Sequence, residues 1–128
     1  MVDIINYNDF NGHKVIEIDT EEFGLQHVSR VSKSNNVELQ KLNYPNIIVD
    51  LNKITYIDTS GLGFIANIKR QLSKHGSDVV IVCKNDYILQ LITLTKLDSL
   101  IKLVGDLDEA AKYLNEKKIS TPKETRLN

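Results

Sequence analysis

Cysteine, net charge and long apolar runs are scarce in this 128-residue sequence, and each scarcity excludes a class of protein. The single cysteine, Cys83, cannot form an internal disulfide, so we expect a reducing compartment. A net charge of −1 provides no basic surface for nucleic acid. No apolar run approaches the roughly 18 residues that span a bilayer, and residues 1–10 lack a signal-peptide pattern. We therefore expect a cytoplasmic protein that neither binds nucleic acid nor inserts into a membrane.

The sequence does contain enough apolar material for one core. Hydrophobic residues make up 41% and charged residues 26% of the chain, which are ordinary values for a globular domain. No repeat or linker divides the chain. We expect a single domain over residues 1–118 and a flexible polar tail over residues 119–128, with a monomer as the default state.

The start of the chain predicts a β-hairpin followed by an interrupted helix. Strand-like residues 3–7 and 14–18 flank the Asn11-Gly12 dipeptide, which is the one best suited to a tight turn. Residues 20–46 carry apolar side chains at helical spacing, but a polar run at residues 32–36 interrupts it. We therefore expect a short or broken helix in this segment.

After this segment, short apolar runs alternate with helical patterns. Strands are predicted at residues 47–51, 79–83 and 100–104, with a further extended segment at residues 54–58. Helices are predicted over residues 61–75, 86–96 and 106–118, the last one capped by Asp106. This alternation is typical of an α/β protein, for which we expect a mixed sheet of about four or five strands with helices packed mainly on one face.

The run Asp58-Thr59-Ser60-Gly61-Leu62-Gly63 lies where the predicted helix begins. Free backbone N–H groups and the positive end of the helix dipole attract an anion at such a point. In one interpretation Thr59 or Ser60 merely caps the helix, a role worth about 1 kcal/mol. In the other, Ser60 accepts a phosphate of roughly −1.5 to −2 charges, which Asp58 opposes and which abolishes an interface without unfolding the domain.

This run, with the apolar strand before it, resembles the signature of STAS domains. Within them it is similar to the bacterial anti-sigma factor antagonists. The likeness rests on residues 47–51 and 54–63, and the order of elements agrees over residues 3–117. The resemblance implies a single STAS domain that is not an enzyme, with no catalytic residues, metal or cofactor.

The resemblance also implies a partner switch controlled by Ser60. The unmodified antagonist would bind a serine kinase that serves as the anti-sigma factor and has a histidine-kinase-like ATPase fold, and so would free a sigma factor. The kinase would use ATP and magnesium to phosphorylate Ser60, with Thr59 as a secondary acceptor, and the antagonist would dissociate. A PP2C-type phosphatase would reset it. Asp58, the two hydroxyls and the Gly61-Leu62-Gly63 turn would form the docking surface.

One segment departs from the pattern of the family. Antagonists usually carry a Gly-[Asp/Glu]-[Leu/Ile]-Asp motif between the second strand and the first helix, where it contributes to kinase recognition. The corresponding stretch here, residues 18–24, has the sequence Ile-Asp-Thr-Glu-Glu-Phe-Gly and lacks that motif. Asp19 and Thr20 are the residues that we expect to stand in for it, and the departure leaves the choice of partner open.

Two other functions compete with the switch. STAS domains also serve as accessory subunits of phospholipid-transporting ABC systems or as parts of stress-sensing scaffolds, where the hydroxyls would have no phosphorylation cycle. A small hydrolase using Ser60 would need a Gly-x-Ser-x-Gly elbow, which is missing. His13, His27 and His75 lack metal-ligand spacing, and Cys83 lies in an apolar strand, so no metal site or thiol nucleophile is predicted.

Two surface features remain. Lys69, Arg70 and Lys74 are expected to form a solvated helix face, with a partner-steering patch as the alternative. The apolar residues 88–94 are expected to belong mostly to the core, the alternative being that one or two leucines stay exposed for a partner.

Overall fold

The computed structural model describes residues 4–120, with side chains up to residue 117. Seven strands and four helices follow one another in this part of the chain. The strands are β1 (Ile5–Phe10), β2 (His13–Ile18), β3 (Glu22–Phe23), β4 (Ile47–Asp50), β5 (Tyr56–Ile57), β6 (Val79–Val82) and β7 (Lys102–Val104). The helices are α1 (Leu25–Lys41), α2 (Thr59–Lys74), α3 (Asp86–Leu94) and α4 (Leu107–Ser120), with a short 3-10 turn at Leu97–Ser99.

Five of the strands form one mixed sheet in the order β1-β2-β4-β6-β7. β1 and β2 are antiparallel, whereas the other neighbouring pairs are parallel. At the turn of the first hairpin, Asn11 and Gly12 have φ values of 49° and 82°, the positive values that a tight hairpin turn requires. The predicted hairpin and the mixed sheet are confirmed. β3 and β5 form a separate two-stranded parallel sheet that the sequence did not indicate.

The helices lie mainly on one face of the sheet, as predicted. Val49 and Ile81 point into the larger core, which also contains buried residues of α1, α2 and α3. Their neighbours Ile48 and Val80 point to the opposite face, where α4 is the one helix of residues 4–120 that covers them, with residues such as Leu114. Because successive side chains of a strand face opposite ways, both faces of the central strands need apolar residues: β6 is apolar at all four positions, and β4 is apolar and buried up to its last residue, Asp50.

Helix α1 is continuous, so the predicted break at residues 32–36 is wrong. The Ser32 hydroxyl donates to a carbonyl oxygen one turn earlier at 2.7 Å, which satisfies this polar group within the helix. Asn35 is fully buried, and its Oδ1 accepts a hydrogen bond from the Tyr7 hydroxyl of β1 at 2.6 Å. Burial, reinforced by the charge of Glu38, raises the pKa of Tyr7 to about 12, so this hydroxyl remains a donor.

The last helix begins as the sequence predicts. The Asp106 side chain accepts a hydrogen bond from the backbone N–H of Glu109 at 2.8 Å, and the Glu109 side chain accepts one from the N–H of Gly105 at 3.0 Å. The first bond satisfies a donor that a helix leaves free at its start, and the second ties the residue before the cap to the first turn. Residues 121–128 lie outside the described part of the chain, so the flexible tail stays a prediction.

Asp78 connects the helices on the two faces of the sheet. Lys69 of α2 and Lys117 of α4 approach its carboxylate oxygens at 3.1 and 3.0 Å. Lys69 is therefore held in an ion pair, and the expectation that it belongs to a solvated basic face is wrong. Burial alone would raise the pKa of Asp78, but hydrogen bonds from Lys117, the Val79 amide and Lys69 outweigh it and hold the pKa below its ordinary value.

We expect Asp78→Asn to lower the free energy of unfolding by about 1–2 kcal/mol at neutral pH, because two ammonium groups lose an anionic partner. A carboxylate whose pKa is lowered by folding stabilises the protein above its ordinary pKa of 3.8 and loses that effect as the pH falls through the folded-state value. Urea unfolding should therefore separate the two proteins at neutral pH and bring them together in strong acid.

A matched control is Asp9→Asn, which removes the exposed ion pair between Asp9 and Lys14. Exposed pairs of this kind contribute about 0–1 kcal/mol. Equal losses in the two variants, or a difference that persists unchanged in acid, would contradict the role assigned to Asp78.

Candidate functional site

The site is built on the N-terminus of α2, at the edge of the sheet where the parallel strands end. The helix begins at Thr59, two residues earlier than predicted, so Thr59 and Ser60 belong to its first turn. Asp58 is the N-cap residue, and its Oδ1 accepts a hydrogen bond from the Gly61 N–H at 3.0 Å. The interpretation in which Thr59 or Ser60 caps the helix is therefore wrong, since the carboxylate does so.

The same carboxylate also ties the starts of two helices together. Asp58 Oδ2 accepts a hydrogen bond from the backbone N–H of Leu25, the first residue of α1, at 3.1 Å. A Cβ atom at Gly24 would lie only 2.7 Å from this oxygen, so the absence of a side chain there makes room for the carboxylate. Asp58 thus fixes the α2 start against α1 and holds the Ser60 turn in place.

Asp58 remains ionised under ordinary conditions. The hydrogen bond from the Gly61 amide has the largest effect and lowers the pKa of Asp58. Burial opposes it, but this bond together with smaller contributions from the amides of Leu25 and Ser60 keeps the pKa below its ordinary value. The turn therefore already carries one negative charge at the positive end of the helix dipole. A second anion on Ser60 would have to share the same amide donors with this carboxylate.

The two hydroxyls differ in exposure. Thr59 is exposed, whereas Ser60 is half-buried. Among the described residues 4–120, neither hydroxyl has a hydrogen-bond partner. Both oxygens are thus available for chemistry or for contact with a partner.

In the Gly61-Leu62-Gly63 turn, the first two residues are buried and the third is exposed to solvent. A Cβ at Gly61 would lie 2.5 Å from Ile57 Cγ1 and 2.6 Å from the Phe23 carbonyl oxygen, so the helix can approach β3 and β5 only with glycine there. Leu62 is largely buried in the core. Gly63 is exposed, and a Cβ added to it would meet nothing within 4 Å. Internal packing therefore explains why Gly61 and Leu62 occupy their positions. It does not explain Gly63, where alanine would fit and would stabilise the helix by about 1 kcal/mol relative to glycine.

Asp19 and Thr20 lie at the same edge of the sheet but are engaged elsewhere. Asp19 accepts a hydrogen bond from Lys53 Nζ at 3.1 Å, and the Thr20 hydroxyl donates to the Glu22 carbonyl oxygen at 3.2 Å. No hydrogen bond in the described part of the chain joins either side chain to the Asp58–Gly63 run. Their role in partner binding stays a prediction.

The segment next to the Asp58 carboxylate is Glu22–Leu25, which sequence reasoning missed. Leu25 and Tyr56 leave 62% and 48% of their surface exposed and line a groove of about 350 Å³ that includes Asp58. The signal was present in the sequence: Gly24 stands immediately before the helical spacing of α1. The sequence did not show that Gly24 lies beside Asp58, because this contact depends on the pairing of β3 with β5, which are far apart in the sequence.

The remaining candidate residues have structural surroundings of their own. His13 Nε2 lies 2.9 Å from Asn115 Oδ1, His27 stacks near Phe23, and His75 stacks on Tyr44. Within residues 4–120, no group of three or more potential ligands could hold a metal ion. Cys83 is buried, and this burial raises the pKa of its thiol.

Comparison with known proteins identifies the family. The profile of the STAS domain matches residues 4–110, which is most of the chain. The chain belongs to the STAS domain family. The resemblance drawn from the Asp58–Gly63 run is thereby confirmed, as is the single STAS domain with its mixed five-stranded sheet and four helices among the described residues.

Several relatives of this STAS domain are known. A protein of Thermotoga maritima, provisionally named an anti-sigma factor antagonist, is 26% identical over 103 residues, covering 80% of this chain and 91% of the relative. The crystal structure of a T. maritima protein with the same provisional name superimposes with a TM-score of 0.76 at 22% identity, covering 87% of this chain and 94% of that one. The phosphorylated form of the Bacillus cell fate determinant SpoIIAA gives a TM-score of 0.64 at 14% identity over 85% of this chain and 97% of that one.

None of the helices within the described residues of this STAS domain combines the length and apolar character that crossing a membrane would require.

Proposed function

We propose that this STAS domain is an anti-sigma factor antagonist that is switched off by phosphorylation on Ser60. In its unmodified state it binds a serine kinase of histidine-kinase-like ATPase fold in the cytoplasm and so releases a sigma factor from that kinase. The observation that carries the proposal is the Ser60 hydroxyl, which has no hydrogen-bond partner among residues 4–120 and lies in the first turn of α2 beside the fixed Asp58 carboxylate.

The phosphorylation step needs no catalytic group from this chain. The kinase transfers the γ-phosphoryl group of ATP, with magnesium, to Ser60 Oγ: an O–P bond forms, the bond to the β–γ bridging oxygen breaks, ADP leaves and the hydroxyl proton is released. A PP2C-type phosphatase then catalyses attack of water on phosphorus, which restores the hydroxyl and releases inorganic phosphate. Asp58 acts as a positioning residue, because it holds the turn that carries Ser60.

The physical effect of the phosphate is electrostatic. It adds roughly −1.5 to −2 charges next to Asp58, whose pKa is already lowered, so the site changes from one negative charge to about three. The helix dipole tolerates an anion at this position, which keeps the domain folded. A docking partner that fits the singly charged site would then have to bury a strongly anionic surface, and burying charge that has no matching partner opposes binding.

The proposal is tested by affinity capture from the native cells. Tagged Ser60→Ala protein, incubated with lysate, ATP and magnesium, should retain a serine kinase that wild type releases once it is phosphorylated. Ser73→Ala is the matched control, since Ser73 is an exposed serine of the same helix far from the site. Retention of no kinase by Ser60→Ala, or of a transporter ATPase in its place, would contradict the switch, and the second result would favour the accessory-subunit function.

A further inference from the structure

An apolar groove runs beside the Ser60 turn. It has a volume of about 320 Å³ and lies between α2 and the segment that follows α3. All of its described lining residues are uncharged, although charged residues make up 26% of the sequence. One wall is formed by Thr59, Leu62, Gly63 and Ala66, and the other includes Leu97 and Leu100.

Gly63 is the residue of this groove that the fold itself does not explain. A Cβ there would point into open space, whereas a Cβ at Gly61, two residues earlier, would collide with backbone and side-chain atoms. Glycine weakens a helix relative to alanine, so an open helical glycine suggests that something outside the chain needs the space.

The wall that follows α3 presents an apolar side chain to solvent. Leu100 is 61% exposed, and it lines the same groove as Gly63. Leu94, which is 76% exposed, belongs to a separate groove along α3. The alternative in which a leucine of residues 88–94 stays exposed therefore holds for Leu94, while Ile88 and Ile92 are buried as expected.

The groove is continuous with the surface that the kinase must cover. Thr59, the residue before Ser60, lines the groove. Gly63 also lines it and lies four residues after Thr59, which is a rise of about 6 Å along the helix at 1.5 Å per residue. A specific protein interface covers roughly 800 Å² on each partner. A kinase that reaches Ser60 Oγ over the exposed Thr59 thus comes within contact distance of the groove.

We propose that the kinase inserts an uncharged, apolar side chain into this groove, in van der Waals contact with Gly63 and Leu100. The inference rests on the proposed function and extends it, because it assigns the apolar anchor of the kinase contact. Such an anchor in a desolvated pocket is where binding energy concentrates in protein interfaces. Gly63 is then retained for binding at the expense of helix stability.

The test uses the purified kinase identified by capture with Ser60→Ala, without ATP, so that phosphorylation does not interfere. Gly63→Ala should raise the melting temperature by about 3 °C. The same variant should weaken kinase binding at least tenfold, since its methyl group occupies the space of the anchor. Leu100→Ala should weaken binding several-fold, whereas Leu94→Ala, the matched control, should leave it unchanged.

Two results would overturn the inference without touching the proposed function. The first is kinase binding by Gly63→Ala within twofold of wild type while Ser60 is still phosphorylated when ATP is added. The second is a fall in melting temperature for Gly63→Ala, because it would show that packing within the domain requires the glycine. If wild type binds no kinase at all, the proposed function fails, and the inference fails with it.

Discussion

Ser60→Asp should weaken binding of the serine kinase at least tenfold, while Ser60→Ala should bind as tightly as wild type and stay bound when ATP is added. The aspartate places a second carboxylate next to Asp58, which is fixed by the amides of Gly61 and Leu25 and cannot move away without losing them. The kinase would then have to cover two negative charges where it covered one, and burying a charge that has no partner opposes binding; a tenfold loss corresponds to about 1.4 kcal/mol. Isothermal titration calorimetry with the purified kinase measures both variants.

Ser73→Asp is the control for this charge change. It adds the same charge to the same helix, but at an exposed position near the opposite end. Its affinity for the kinase should remain within about twofold of wild type, because exposed charges more than about 10 Å apart are largely screened. Equal losses for Ser60→Asp and Ser73→Asp would mean that net charge, and not the position of Ser60, governs binding.

Gly61→Ala should lower the free energy of unfolding by about 3 kcal/mol, the upper range for an overpacked core. The added methyl group would lie 2.6 Å from the Phe23 carbonyl oxygen and 2.5 Å from Ile57 Cγ1. The Phe23 oxygen is backbone and accepts from the Asp58 N–H, so it cannot retreat without disturbing the β3–β5 pair. Urea unfolding of the variant, followed by circular dichroism, gives the value.

Gly63→Ala serves as the comparison within the same helix and with the same chemical change. It should be at least as stable as wild type, because nothing lies within 4 Å of its new methyl group. This result would show that the fold requires Gly61 and does not require Gly63, which is then available for binding. A similar stability change for both variants would contradict that distinction.

The alternation of elements could be predicted because its causes are local. The Asn11-Gly12 turn, the apolar run that opens strand β4 and the Asp106 cap each depend on neighbouring residues, and all three occur where the sequence indicated. The continuity of α1 could not be predicted, since it depends on Asn35 meeting Tyr7, 28 residues away. The local sequence pattern predicts a break at the polar run, because nothing near Asn35 in the sequence indicates that Tyr7 will bind its side chain.

The same division applies to the candidate site. The start of a helix near Ser60 followed from the residue types alone, and the sequence placed it within two residues. That Asp58 caps α2 and also binds the first amide of α1 depends on the β3–β5 pair, whose strands are only two residues long. Strands of that length carry no recognisable alternation, so the contribution of Gly24 and Leu25 emerged only from the tertiary structure.

The central claim is that Ser60 is reversibly phosphorylated in the cell, and phosphopeptide mass spectrometry of the protein isolated from its native cells tests it most directly. Samples taken across growth and stress conditions are compared with and without treatment by a PP2C-type phosphatase. The account predicts a phosphate on the peptide containing Ser60, assigned to that residue by fragmentation and removed by the phosphatase. A Ser60 that stays fully unmodified under every condition would contradict the switch.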